Sequence, residues 1–324
     1  MRFGAHLPLI DFDGHGWRPG ELGSYVDAAR QLGYGAVGVN DHLVFQRPWL
    51  DGIVALASVV ERSGDMQLAT TVSLPVVRGP ASLAKAAAAL DILSGGRLVL
   101  GVGPGSSARD YEAAGVDFDE RWPRLDESIR VLRTYLRGDG PAFDGRFYAA
   151  TSALRPRPTR AQGPPIWIGS WGSEAGLRRV ARLGDGWLAS AYNASPEQVA
   201  GARLRLGAAL ERAGRCLDGF ACALATMWTY VTDDGPALEA HLSALGRLLN
   251  RPPEQLRRRV LVGPARDCAA TLRAYAEAGV DQVFIWPLAD PHDQLERLMR
   301  DVVPLVPLVP GRDAPAGESS SAVG

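Results

Sequence analysis

Along nearly the whole chain, short apolar or β-branched runs alternate with longer amphipathic segments, the pattern of parallel strands joined by helical crossovers. The runs fall at residues 2–8 (RFGAHLP), 36–40 (AVGVN), 66–72 (MQLATTV), 97–103 (RLVLGVG), 165–169 (PIWIG), 186–190 (GWLAS), 223–231 (ALATMWTYV) and 282–286 (QVFIW). Helical periodicity fills the gaps, for example at 20–33, 50–64, 82–96 and 269–279, with glycines where helix C-termini are expected. Eight strands, each trailed by a helix, predict an α/β fold of the (β/α)8 barrel type. A doubly wound sheet is the alternative, because strand count does not by itself require closure. Two stretches exceed the minimal plan. Residues 138–164, rich in Gly and Pro, predict an insertion or lid near a site. Residues 234–262 offer extra helices, with Arg257, Arg258 and Arg259 reading as a solvated helix face. No repeat is visible beyond the βα alternation, so a single domain is expected over 1–309. Residues 310–324 (PGRDAPAGESSSAVG) read as a disordered tail.

Composition narrows the class of partner. The 324 residues carry a net charge of -1, which provides no field to hold nucleic acid or an anionic membrane, so a small-molecule substrate is expected. Lys85 is the one lysine among the 35 basic residues, which reads as coding composition rather than a special use of guanidinium. The three cysteines, Cys216, Cys222 and Cys268, form no CxxC pair and suggest neither a disulfide framework nor structural zinc. No apolar run is long enough to span a bilayer and the start lacks the form of a signal peptide, so a cytoplasmic location is expected.

In a barrel, chemistry sits just after the strands. There the chain places His6; Asn40, Asp41 and His42; Thr71, Val72 and Ser73; Gly103, Gly105 and Ser106; Gly169, Ser170, Trp171, Gly172 and Ser173; and Ser190 and Tyr192. Asp41 and His42 read either as a helix cap beside a packed imidazole or as a catalytic rim. GVGPGSSARD (101–110) lacks the context of a dinucleotide fingerprint. It is either a tight turn or a place where backbone approaches a flat ligand. Gly169 to Ser173 open a helix whose free N–H groups and positive dipole end suit a phosphate, although Ser173 with Glu174 would also serve as a plain cap. Pro75 and Pro80 shape the loop after Thr71 to Ser73 beside the pocket mouth. Trp17, Trp49, Trp122 and Trp228 offer an aromatic lining or simple core. His6 has no HxH partner, and there is no GxSxG, P-loop or HExxH, so no metal is expected.

Together GYGAVGVNDHL (33–43), the string LAKAAAALDILSGGRLVLGVGPGSSARDYEAAGVDFDERWPRLDESIRVLR (83–133), PPIWIGSWGSEAGLRRVARLGDGW (164–187) and AYAEAGVDQVFIWPL (274–288) resemble the luciferase-like family, the bacterial luciferase-like flavin-dependent monooxygenases and coenzyme F420-dependent oxidoreductases. The resemblance spans roughly residues 1–305. It implies a TIM barrel that holds a reduced flavin or deazaflavin at the strand C-termini, usually as a homodimer. The ring would rest on a bulge at Thr71 and Val72, often built on a non-prolyl cis peptide. Its phosphate would lie against Gly169 to Ser173, with Ser73, Gly103, Gly105, Ser106 and Ser190 around the cofactor. Asp41 and His42 resemble the acid-histidine pair of the deazaflavin branch, where the imidazole, with an ordinary pKa near about 6.5, serves as proton donor or hydrogen-bonding group and Asp41 would orient it. His6, Trp17 and Trp49 would face the substrate. Deazaflavin sugar-phosphate dehydrogenases of the family place a glutamate where this chain has Ser106, which argues against a sugar phosphate. The resemblance therefore implies hydride transfer with coenzyme F420. The alternatives are an FMN-dependent monooxygenase fed by a flavin reductase, and a flavin-binding barrel without catalysis.

Overall fold

The computed structural model describes residues 1–137 and 142–306, so the tail expected from 310 lies outside the described residues. Eight strands form the barrel: β1 Arg2–His6, β2 Ala36–Val39, β3 Gln67–Thr70, β4 Leu98–Val102, β5 Ile166–Gly169, β6 Gly186–Ser190, β7 Ala221–Val231 and β8 Gln282–Pro287. Each lies within or within two residues of one of the apolar runs. All neighbours pair in parallel, β6 pairs with β7, and β8 pairs with β1, which closes the ring. The barrel interior is filled by Ala36, Ala69, Val99, Trp167, Leu188 and Phe284, so the centre is a packed core rather than a channel. The helices around it are α1 Glu21–Gln31, α2 Gly52–Ser58, α3 Pro80–Leu93, α4 Ala108–Ala113, α5 Arg121–Leu136, α6 Glu174–Leu183, α7 Pro196–Arg212, α8 Gly235–Leu249, α9 Ala265–Glu277 and α10 Pro291–Arg297. Their starts follow local chemistry. Ser195 and Gln198 form a capping box on α7, and Pro occupies the first turn of α3, α7, α8 and α10.

The two long connections take different roles. The stretch after α5 leaves a helix C-terminus and enters a strand N-terminus, so it belongs to the end of the barrel opposite the strand C-termini. A small hairpin, Phe143–Asp144 with Ala149–Ala150, lies along α5 and is held by Glu127, which accepts the N–H groups of Arg146, Phe147 and Tyr148. The return path is pinned by the buried Asp91 of α3, which accepts from Thr159 N at 2.9 Å, and by Arg160, which donates to Leu98 O. The insertion is therefore present, but its described residues form no lid. By contrast, α8 and the short helix Pro253–Leu256, built from the second excess stretch, overhang the open end; Gln46 Nε2 in the loop after β2 donates to Leu248 O at 3.2 Å.

Two glycines set the local spacing at that end. The bond between Thr71 and Val72, just past β3, is cis, and the Val72 side chain lies between the backbones of Gly103 and Gly169. A Cβ at Gly103 would stand 2.9 Å from Val72 Cγ2, and one at Gly169 would stand 3.0 Å from Val72 Cγ1. Gly169→Ala should therefore cost about 1–3 kcal/mol by overpacking, measured by urea denaturation. Adding Val72→Ala should recover part of that loss. Strict additivity of the two substitutions would show that the contact does not set the spacing.

Candidate functional site

Just past β2, Asn40, Asp41 and His42 begin the loop to α2. The Asp41 carboxylate turns toward the segment after β3. It accepts from Arg78 Nε at 2.5 Å, Arg78 Nη2 at 2.6 Å and Leu74 N at 3.3 Å. Arg78 also donates to Asp51, whose other oxygen caps α2 by accepting from Val54 N. Burial works against the Arg78 charge, but the bonds to Asp41 and Asp51 outweigh it and raise its pKa.

His42 turns the other way, and here the expected pairing is corrected. Its Nδ1 lies 2.7 Å from Asp110 Oδ2, while Asp110 Oδ1 accepts from Leu43 N at 2.9 Å and Val44 N at 2.8 Å. Asp41 therefore does not orient the imidazole, because its oxygens are committed to Arg78 and Leu74. Asp110, near the start of α4, orients it instead. Burial opposes the Asp110 charge, but the bonds from His42, Val44 and Leu43 hold its pKa below the usual carboxylate range. An ionised carboxylate only accepts, so the proton of this bond sits on Nδ1 and leaves Nε2 as the basic nitrogen.

Beside His42 lies an open cleft of about 360 Å³, within the size range of small-molecule sites. Its walls are Phe45 and Trp49 from the β2 loop, Ser106 and Arg109 after β4, Thr226 and Trp228 on β7, Leu248 and Leu249 ending α8, and Trp286 on β8. Trp49 meets the rings of His42, Phe45 and Trp286 edge-on, at centroid distances of 4.6, 4.7 and 5.9 Å. Trp286 is sandwiched between Trp228 at 4.0 Å and His6 at 3.8 Å. Thr226 reaches the rim through a left-handed backbone, φ 56, where the β7–β8 register shifts, and its hydroxyl lies 2.8 Å from Ser190 Oγ. Several buried polar atoms here meet no hydrogen-bond partner: His6 Nε2, Asn40 Oδ1, Trp49 Nε1 and Trp228 Nε1.

The residues named from the sequence divide accordingly. His42, Trp49 and Ser106 line the cleft, with Trp228 and Tyr192 beside them. His6 is fully buried beneath Trp286 and does not line it; burial pulls its pKa down to about 3, against the pull of the Leu7 carbonyl and the Asn40 side chain. Trp17 donates its indole N–H to Pro8 O at 2.9 Å, away from the cleft, and Trp122 stacks under Arg121 and Arg179 on the surface. Thr71 and Ser73 are buried, with Thr71 Oγ1 donating to Val39 O and Ser73 N to Gly101 O. Gly105 takes a left-handed turn ahead of Ser106. Past β5, Ser170 Oγ accepts from Gly172 N, and Ser173 caps α6 by accepting from Gly176 N, each at 3.2 Å. Trp171 projects outward, and Arg205 of α7 brings its charge to Gly172 O at 3.1 Å. Asp110, Arg109, Arg78, Phe45 and Trp286 were not singled out from the sequence. Among the described residues no group of His, Cys, Asp and Glu gathers as a metal site, and no helix is long and apolar enough to cross a membrane.

Residues 12–248 match the luciferase-like monooxygenase family. The chain is 28% identical over 318 residues to the F420-dependent glucose-6-phosphate dehydrogenase of Amycolatopsis mediterranei (strain U-32), covering 88% of this chain and 94% of that protein. Among solved structures, an F420-dependent secondary alcohol dehydrogenase bound to an F420-acetone adduct superposes with a TM-score of 0.82 at 18% identity, covering 94% of this chain and 99% of that one. The monooxygenase RslO1 from Streptomyces bottropensis superposes with a TM-score of 0.80 at 21% identity, again over 94% and 99%. At these identities the two structures establish a shared fold.

A neutral His6 has a stability consequence with a definite sign. Its folded pKa, about 3, lies below the ordinary 6.5, so between those values the unfolded chain binds a proton that the folded chain does not. Stability should therefore rise with pH across that window, by up to about 1.4 kcal/mol per unit from this group. Denaturation of wild type and His6→Phe at stepped pH should show the variant's slope reduced by one proton; equal slopes would mean the buried imidazole titrates normally.

Proposed function

We propose that this chain, which belongs to the luciferase-like monooxygenase family, is an oxidoreductase that works with coenzyme F420 on a small organic substrate bound over the ring in the aromatic cleft. The observation that carries this reading is His42, held by Asp110 through Nδ1 on the wall of the cleft so that Nε2 is the ring nitrogen left for a ligand. The name of the Amycolatopsis relative, F420-dependent over nearly the full chain, supports the choice of cofactor.

The residues present fit such a group. The cis bond at Thr71–Val72 and the Val72 side chain set between Gly103 and Gly169 offer a narrow apolar ledge at the strand ends. Ser106 lines the cleft, and Ser190 Oγ lies 2.8 Å from Thr226 on its wall. The turn Gly169 to Ser173 at the start of α6, with Arg205 beside it, presents a helix N-terminus and a cation to a phosphate. When bound, coenzyme F420 would take the hydride from the substrate carbon being oxidised, or supply it in the reverse direction. In that setting Nε2 of His42 takes the hydroxyl proton of a substrate being oxidised, or returns it in the reverse direction, while Asp110 stabilises the imidazolium. Asp41 holds the loop through Arg78 and touches neither partner of the proton transfer. Trp49, Trp228, Trp286 and Leu249 give one side of the cleft an apolar face for a substrate.

Two finer points belong to the same proposal. Exposed Val54 on α2 with Ile92 and Leu93 on α3 support a homodimer, and cysteines that form no disulfide among the described residues support a cytoplasmic location.

Titration of the purified protein with coenzyme F420, FMN and FAD, followed by fluorescence quenching, tests the cofactor. Coenzyme F420 should bind with the highest affinity. Binding of FMN alone, with oxygen consumed when a reductase supplies it reduced, would instead make the protein an FMN-dependent monooxygenase; binding of none would favour a barrel without catalysis. His42→Ala should lower kcat by about 10²–10⁴-fold while leaving cofactor affinity near wild type. An unchanged kcat would remove His42 from the chemistry.

A further inference from the structure

We propose that the cleft is built for an organic monoanion with an aromatic or fused-ring body, its carboxylate read by Arg109. This rests on the cofactor reading above for the reaction but not for binding. Arg109 lies in the first turn of α4, immediately before Asp110, and its side chain is exposed on the cleft wall. Among the described residues it makes no ion pair and no hydrogen bond, unlike Arg78 at the same rim, which is saturated by Asp41 and Asp51. Its one acidic neighbour in sequence, Asp110, already accepts from His42, Leu43 and Val44. A guanidinium without a counter-ion on a concave wall matches a planar carboxylate through two parallel hydrogen bonds.

The rest of the wall selects the body of the ligand. Trp49, Trp228 and Trp286 present stacked and edge-on indoles, and Trp228, only 3% exposed, keeps an indole N–H with no acceptor. A phosphorylated sugar carries nearly two negative charges near neutrality and would call for several cations. Arg109 and the Asp110-bound His42 are the only basic side chains among the described lining residues, and Ser106 supplies no carboxylate there. The charge count therefore fits one negative charge, and the rings of Phe45 and Trp49, backed by Trp228 and Trp286, give an apolar ring body a face to pack on. The expected phosphate position, Gly169 to Ser173, belongs to the β5–α6 turn and contributes no residue to the cleft wall, which separates Arg109 from that role.

The test is calorimetric titration of the protein, with and without saturating coenzyme F420, using benzoate and 2-naphthoate against their neutral amides and against glucose 6-phosphate. The carboxylates should bind at least ten-fold more tightly than the amides, with 2-naphthoate ahead of benzoate and glucose 6-phosphate weakest. Arg109→Gln should abolish the preference for carboxylate over amide while leaving amide affinity and coenzyme affinity within about two-fold of wild type. Equal binding of acid and amide by the wild type would overturn the proposal. So would an acid preference that survives Arg109→Gln, or a variant that loses coenzyme F420 and keeps 2-naphthoate. If the wild type binds 2-naphthoate selectively yet binds no coenzyme F420, the cofactor reading fails and this one stands; the reverse result separates them the other way.

Discussion

The Asp110 carboxylate is the tie on which the open end of the barrel depends. One buried side chain receives the imidazole N–H of His42 and the backbone N–H groups of Leu43 and Val44, joining the β2 loop to α4 across 68 residues of sequence. A buried carboxylate is stable only when its oxygens are well satisfied, and here three donors supply that. The same loop is tied on its other side by Asp41 and Arg78, which anchor it to the turn after β3. Held from both sides, it can present Phe45 and Trp49 as rigid walls, and the aromatic cleft exists because these two carboxylates stop the loop from relaxing into solvent.

The two acids have separate work because of where each points. Asp41 meets a permanently charged guanidinium and serves geometry. Asp110 meets an imidazole and fixes its ring through Nδ1. Adjacent positions in the sequence, Asp41 and His42, thus belong to different networks, and the partner of the His42 imidazole comes from far along the chain. Fixing Nδ1 through a buried anion also fixes which nitrogen faces the cleft, so the loop's rigidity and the tautomer of His42 have a common cause.

Much of the fold was legible because a parallel barrel buries both faces of its strands. Each strand therefore reads as a continuous apolar run, and all eight runs became strands. The cleft lining was legible where a rim residue follows its strand closely, as with His42 and Ser106. Asp110 and Arg109 sit one step further on, in the first turn of a helix, and Trp286 lies inside β8, counted there as strand rather than rim. An acid opening a helix behind the β4 glycines was the available signal for Asp110. The lid expected at 138–164 misread chain direction. A helix-to-strand connection returns to the N-terminal ends of the strands, whereas material following a strand, such as α8, stands at the C-terminal ends.

Chain direction also explains how the arginines are used, which composition alone did not reveal. At the ends where helices finish and strands begin, arginine forks close backbone carbonyls that a helix leaves open. Arg97 donates to the carbonyls of Ser94 and Met66, Arg160 to those of Gly96 and Leu98, Arg215 to those of Ala181 and Gly184, and Arg133 to that of Leu183. A planar group with five donors can join two carbonyls from different segments at once, which the point charge of lysine does less well. The end away from the cleft is thereby sewn together by guanidinium groups that donate to backbone carbonyls. At the cleft end Arg78 is held between two carboxylates, and Arg109 is not. What distinguishes Arg109 is its place: its donors are free on the concave wall of the cleft, where a guanidinium can meet a ligand rather than bulk solvent.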